Sequence, residues 1–73
     1  KSTMERTYVT SSNIASIGYD AEQMVLEVEF NYGAVYQYFD VPESVYEGLM
    51  AADSHGKYFD AYVKKAGYQY EKL

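Results

Sequence analysis

The chain has 73 residues, a net charge of −5, no Cys and no Trp, but ten Tyr and three Phe. That length allows one domain, which buries about 60–65% of its unfolded surface, and no disulfide or Cys-based zinc site is available to staple it. No apolar run is long enough to span a membrane, and no basic-then-apolar leader is present, so a secretory signal is absent or already removed and a cytoplasmic location is expected.

The negative charge argues against bulk affinity for nucleic acid or anionic membrane. It is unevenly spread. Residues 1–56 carry Lys1 and Arg6 against nine acids, whereas residues 57–73 carry Lys57, Lys64, Lys65 and Lys72 against Asp60 and Glu71. A local basic patch can therefore exist on an acidic protein, although lysines near a helix C-terminus also complement its dipole.

Lys1-Ser2-Thr3 look unlike a natural start, and Met4 is a plausible initiator, so the first three are read as an artificial lead or the end of a longer parent chain. Residues 1–12 are polar and Ser/Thr-rich and are expected to form a flexible N-terminal segment ahead of one domain at 13–73. Ile14–Tyr19 reads as a strand with Ala15, Ile17 and Tyr19 on one face; Gly18 within it signals a bulge or a close backbone approach. After a turn at 20–23, Met24–Phe30 is the clearest strand. Leu26, Val28 and Phe30 fall on one face, and Glu27 and Glu29 on the other, facing water.

Asn31-Tyr32-Gly33 makes a tight reversal into a return strand, Ala34–Phe39. A three-residue loop with Gly33 left-handed sets Val28 opposite Tyr36 and Leu26 opposite Tyr38, on one sheet face. A two-residue loop places both tyrosines on the other face. Gly33→Val is expected to cost more than Glu27→Ala, because a left-handed position penalises a β-branched residue and a solvated carboxylate contributes little.

Asp40-Val41-Pro42-Glu43 carries helix-start signals, and Glu43–Ala52 shows Val45, Leu49 and Ala52 at helical spacing. Asp53 and Ser54 end that helix or cap the next. Lys57–Lys65 places Tyr58, Phe59, Tyr62 and Val63 on one stripe, with Gly67 as its terminating glycine. The tail at 68–71 alternates and can add a short strand. The expected fold is α+β: a three-stranded antiparallel meander followed by two short helices packed on one face, with that short C-terminal strand as an addition.

Taken in order, four pieces resemble one family: Ser11-Ser12-Asn13-Ile14-Ala15-Ser16-Ile17-Gly18-Tyr19-Asp20; Leu26-Glu27-Val28-Glu29-Phe30 with Gly33 and Tyr36-Gln37-Tyr38; Val41-Pro42; and Ser54-His55-Gly56-Lys57-Tyr58-Phe59. The set is similar to the KTSC domain, named for the C-terminus of certain lysyl-tRNA synthetases, and covers residues 8–72. Members also occur as small stand-alone bacterial and phage proteins, the type this chain resembles. The resemblance implies the Tyr-x-Tyr hallmark at Tyr36 and Tyr38 and an association with RNA through the synthetase. It carries over no catalytic residue.

The residues themselves argue against catalysis. Asp53, Ser54 and His55 are adjacent, and a triad needs convergence from separate places. Glu27 and Glu29 approach the spacing of a glycosidase pair but fit a solvated sheet face better. One His and no Cys make a poor transition-metal site, and neither metal nor cofactor is expected. Ser54-His55-Gly56-Lys57 only faintly suggests an anion site.

The tyrosines leave two readings open. In one, Tyr32, Tyr36 and Tyr38 form a stacking platform for unpaired bases of single-stranded RNA or tRNA, with Lys57, Lys64 and Lys65 steering phosphates. In the other, Tyr36 and Tyr38 pack beneath the helices, while Tyr32, Tyr68 and Tyr70 stay exposed. A third possibility needs no RNA: tyrosines and sheet edges also suit a protein-interaction or self-association module, with the acidic half selecting a basic partner.

Overall fold

A computed structural model describes residues 4–73. These residues form an antiparallel sheet whose strands lie side by side in chain order: β1 (Thr7–Tyr8), β2 (Ile14–Asp20), β3 (Val25–Phe30), β4 (Val35–Tyr38) and β5 (Tyr70–Lys72). Two helices, α1 (Glu43–Ala51) and α2 (His55–Phe59), lie between β4 and β5 in the chain, and α2 runs directly into a π-helical stretch, Asp60–Lys64. The α+β fold and its central meander are as expected. The sheet is wider than the three strands anticipated, because β5 adds the short C-terminal strand and β1 adds a fifth. Within the segment 1–12, expected as a flexible lead, Thr7 pairs with Ile17 and Tyr8 with Ser16. Its polar composition suits an edge strand exposed on both faces. The expectations for Lys1, Ser2 and Thr3 lie outside the described residues.

One sheet face packs on the helices. Ile14, Ile17, Leu26 and Val28 meet Val41, Leu49 and Val63 there, and each is at most 1% exposed. The alternation of β3 is kept, with Leu26 and Val28 pointing to the helices. In β2 the register shifts between Ile14, which pairs with Phe30, and Ser16, which pairs with Glu29. Ala15 is the extra residue of this bulge, which lets Ile14 and Ile17 share the inner face although they are three apart.

The outer face corrects an expectation. Glu27 and Glu29 do point away from the helices, but Glu27 is fully buried. Residues 4–6 cross the sheet over Gly18, where a Cβ would meet the Glu5 carbonyl oxygen at 2.6 Å. Only glycine permits that approach, one of the two roles its sequence context suggested. The crossing delivers the Arg6 guanidinium to Glu27, to which its Nη1 donates, and to Glu29, whose Oε1 lies 3.8 Å from Nη2. Arg6 Nε donates to Ser16 Oγ at 2.9 Å, Ser16 Oγ donates to Glu29 Oε1 at 2.8 Å, and Gln37 Nε2 donates to Glu27 Oε1 at 2.9 Å. A buried carboxylate is tolerated only when paired and hydrogen-bonded in this way. The two glutamates therefore belong to a structural network and not to a solvated face.

The helices are tied by polar caps. Ser54 Oγ accepts from the Lys57 backbone N–H at 3.3 Å, capping α2, and the His55 ring Nδ1 lies 2.8 Å from the Leu49 carbonyl oxygen at the end of α1. Ser54 and His55, two of the three residues of the superficially triad-like run, are thus each hydrogen-bonded to backbone at a helix end. No helix of the described residues is long and apolar enough to cross a membrane.

Candidate functional site

The site begins at the β3–β4 turn. Gly33 N–H donates to the Phe30 carbonyl at 2.9 Å, Phe30 N–H donates to that of Ala34 at 2.9 Å, and Gly33 has φ +105°. This is the three-residue reversal, and it fixes the register Val28 opposite Tyr36 and Leu26 opposite Tyr38. Both tyrosines therefore lie on the helix side of the sheet. β5 then sets Tyr70 opposite Tyr38.

The rings form a continuous floor. Tyr38 is 7% exposed and meets Phe59 edge-on, with centroids 5.4 Å apart. Tyr36 is half-buried, edge-on to Phe30 at 5.7 Å and stacked beside Tyr38 at 6.4 Å. Tyr70 lies across both, 5.9 Å from Tyr36 and 5.5 Å from Tyr38. At the other end Tyr32 stacks on Phe30, with centroids 5.7 Å apart and planes 14° from parallel. Tyr32 and Tyr70 are 76% and 63% exposed, so each presents a ring to solvent.

Above this floor runs a groove of about 920 Å³. Its other wall comes from Phe59, Asp60 and Lys64, and its end from the loop carrying Ser12 and Asn13. Asn31 N–H donates to the Asn13 carbonyl at 2.8 Å, and Asn31 Nδ2 donates to that of Ser11 at 3.1 Å, which clasps this loop to the hairpin turn.

The π-helical stretch shapes the cationic wall. Lys65 N–H donates to the Asp60 carbonyl at 3.1 Å, five residues back, and Lys65 Nζ lies 3.2 Å from Asp60 Oδ2. In an α-helix residues five apart do not face each other; the wider turn brings them together. Asp60 is thereby charge-paired with Lys65, and Lys64 is left on the groove wall. Of the residues predicted for a binding surface, Tyr32, Tyr36, Tyr38 and Lys64 meet in this groove. Lys65 is turned to Asp60, and Lys57, in the first turn of α2, does not line it.

Within the floor, Tyr38 stays neutral over a wide pH range. Burial, reinforced by the neighbouring Tyr36, Tyr70 and Tyr32, pushes the Tyr38 hydroxyl up to about 12. Tyr19 is also raised, by burial first and then by Glu43 and Asp20; it lies outside the groove, stacked on Tyr46 at 5.1 Å and donating to the Val41 carbonyl. Among the described residues no group of three His, Cys, Asp or Glu could hold a metal ion. Phe30, Phe59, Tyr68, Tyr70, Asn13 and Asn31 also line the groove and were not assigned to it from sequence. The available signal was topological: antiparallel pairing of β2 with β3 brings residues 11–13 beside the hairpin turn.

Comparison with known proteins places the chain. A family model described as the KTSC domain matches residues 10–70. The crystal structure of a KTSC domain protein from Yersinia pestis is 40% identical and superposes with a TM-score of 0.88, covering 97% of this chain and 99% of that one. An uncharacterised protein of Stutzerimonas stutzeri is 44% identical over 70 residues, which is 96% of this chain and 99% of the relative. A lysine–tRNA ligase of Nostoc punctiforme is 39% identical over 62 residues, which is 85% of this chain but only 11% of the ligase. The chain belongs to the KTSC domain family.

Proposed function

We propose that this KTSC domain is a non-catalytic binding module whose aromatic groove receives unpaired bases of single-stranded RNA or tRNA. The observation that carries the reading is the groove itself. Two exposed rings, Tyr32 and Tyr70, flank half-buried Tyr36, and Lys64 stands on the facing wall. Aromatic faces beside a cation are the combination single-strand binders use. The similarity to part of a lysine–tRNA ligase supports an RNA partner. A non-catalytic role agrees with Ser54 and His55 both being engaged in helix-end bonds.

The test is an NMR titration of labelled protein with short single-stranded RNA and with tRNA, at low and near-physiological salt. Shifts confined to Tyr32, Tyr36, Tyr38, Tyr70 and the Lys64 turn are expected. No shift at low salt removes the reading.

Net charge favours a second reading. At −5, the domain suits a basic protein partner or self-association, through the exposed edge strands β1 and β5. A concentration-dependent mass in light scattering is its expected sign, and a strict monomer that captures no basic partner counts against it.

A further inference from the structure

We infer that the groove engages two consecutive unpaired bases and one phosphate, two at most, so that stacking and not charge carries its affinity. This rests on the reading of the groove as an RNA site, and it concerns how such a ligand is held. The aromatic floor offers two separate open faces. One is Tyr32, backed by Phe30 with nearly parallel planes. The other is Tyr70, backed by Tyr36 and Tyr38. The half-buried Tyr36 lies between them, in edge contact with Phe30 and tilted against Tyr70. Each exposed ring can take one base, and nothing else in the lining presents a comparably open aromatic face.

The cations are few. Among the described residues Lys64 is the one that lines the groove. Asp60 beside it is paired with Lys65, so it does not cancel Lys64. Lys72, opposite Tyr36 in the sheet, is the next available positive charge. Arg6 is engaged on the other side of the sheet. A site of this make-up tolerates an acidic protein, because repulsion from distant carboxylates is screened beyond about 10 Å at ordinary salt, while stacking is not.

The test is affinity measured by fluorescence anisotropy for the full chain with labelled single-stranded RNAs of two, three, four and eight nucleotides, at several salt concentrations. Affinity is expected to level off by about three nucleotides. Each phosphate contact on a single strand contributes a slope of about −0.7 in log affinity against log salt, so the expected slope lies between about −0.7 and −1.4. Tyr32→Ala and Tyr70→Ala should each weaken binding roughly 5- to 150-fold. Tyr32→Phe, which keeps the ring, should bind almost as the parent does. Lys64→Ala should flatten the slope by about 0.7 with a smaller loss of affinity. A slope steeper than about −2, or affinity still rising at eight nucleotides, overturns this inference while leaving RNA binding in place. Failure to bind any of these RNAs at any salt overturns both.

Discussion

The two faces of the sheet reach burial by different routes. The inner face is covered by helices and filled with apolar and aromatic side chains, so its order follows from the alternation of β3 and the stripes of α1 and α2. The outer face carries a guanidinium, two carboxylates, a hydroxyl and an amide, and its cover is a few residues of chain crossing at Gly18. The first kind of burial tolerates imprecision, because apolar contacts are non-directional. The second does not, because every buried polar atom needs its partner. A 73-residue domain with a small core gains from sealing both faces.

The sharpest way to break the outer face is Glu27→Ala. It takes from the Arg6 guanidinium, whose side chain is 23% exposed, its buried carboxylate partner and from Gln37 Nε2 its acceptor, and should cost about 3 kcal/mol in urea unfolding. A loss below half a kcal/mol would show that Glu27 is solvated after all. Gly18→Ala comes next, at about 2 kcal/mol, because the added methyl collides with backbone and not with a movable side-chain tip. Its diagnostic is spatial: amide exchange should quicken at Thr7 and Tyr8 while Leu26 and Val28 stay protected. Uniform loss of protection would mean that the two faces are not separable.

The inner face has its own signature in alkali. Tyr38 ionises near 10 when unfolded but near 12 in the fold. The folded state thus holds the proton more tightly, and the stability this confers is complete below pH 10 and is lost as pH rises toward 12. Chemical-denaturation midpoints should fall across that window, and Tyr38→Phe should remove part of the fall. Gly33→Val should cost about 1 kcal/mol, since φ +105° disfavours a β-branched residue although space around the position is open. Smallest of all, Tyr32→Ala should change stability by less than about 0.5 kcal/mol, because the ring is 76% exposed. That makes it a clean probe of binding.

The order of Glu27→Ala and Gly33→Val is the reverse of the sequence expectation, and the reason is instructive. Alternation in Met24–Phe30 reveals that Glu27 and Glu29 share a face; it does not reveal what lies over that face. The cover comes from Arg6, 21 residues earlier, reached through a two-residue strand too short to show any period. By contrast, Asn31-Tyr32-Gly33 narrows the hairpin register to two, and the structure selects the one in which left-handed Gly33 closes a three-residue loop. Tyr32, Tyr36, Tyr38 and Lys64 are named in one of the two readings of the tyrosines, as aromatic faces beside a cluster of lysines, and all four line the groove. Tyr70, Asn13 and Asn31 were not placed in the groove, because their positions depend on which strands become neighbours. Lys65 is named beside Lys64 because both belong to the lysines gathered near the C-terminus, and the wider turn pairs it with Asp60 instead.

That wider turn has an evolutionary reading. A π-helical stretch is an α-helix carrying one surplus residue. Deleting a single residue between Asp60 and Lys64 would let the helix revert to its regular bonding, at little local cost. Everything beyond it would keep its place, because the wider turn absorbs the surplus residue locally. Lys65 would stand four residues from Asp60, a spacing at which the pair still meets in an α-helix, and the chain beyond Gly67 would still reach the edge where Tyr70 joins the sheet. Relatives that lack one residue at this point should therefore keep both the fold and the groove, and a one-residue gap in an alignment would mark where the surplus residue entered.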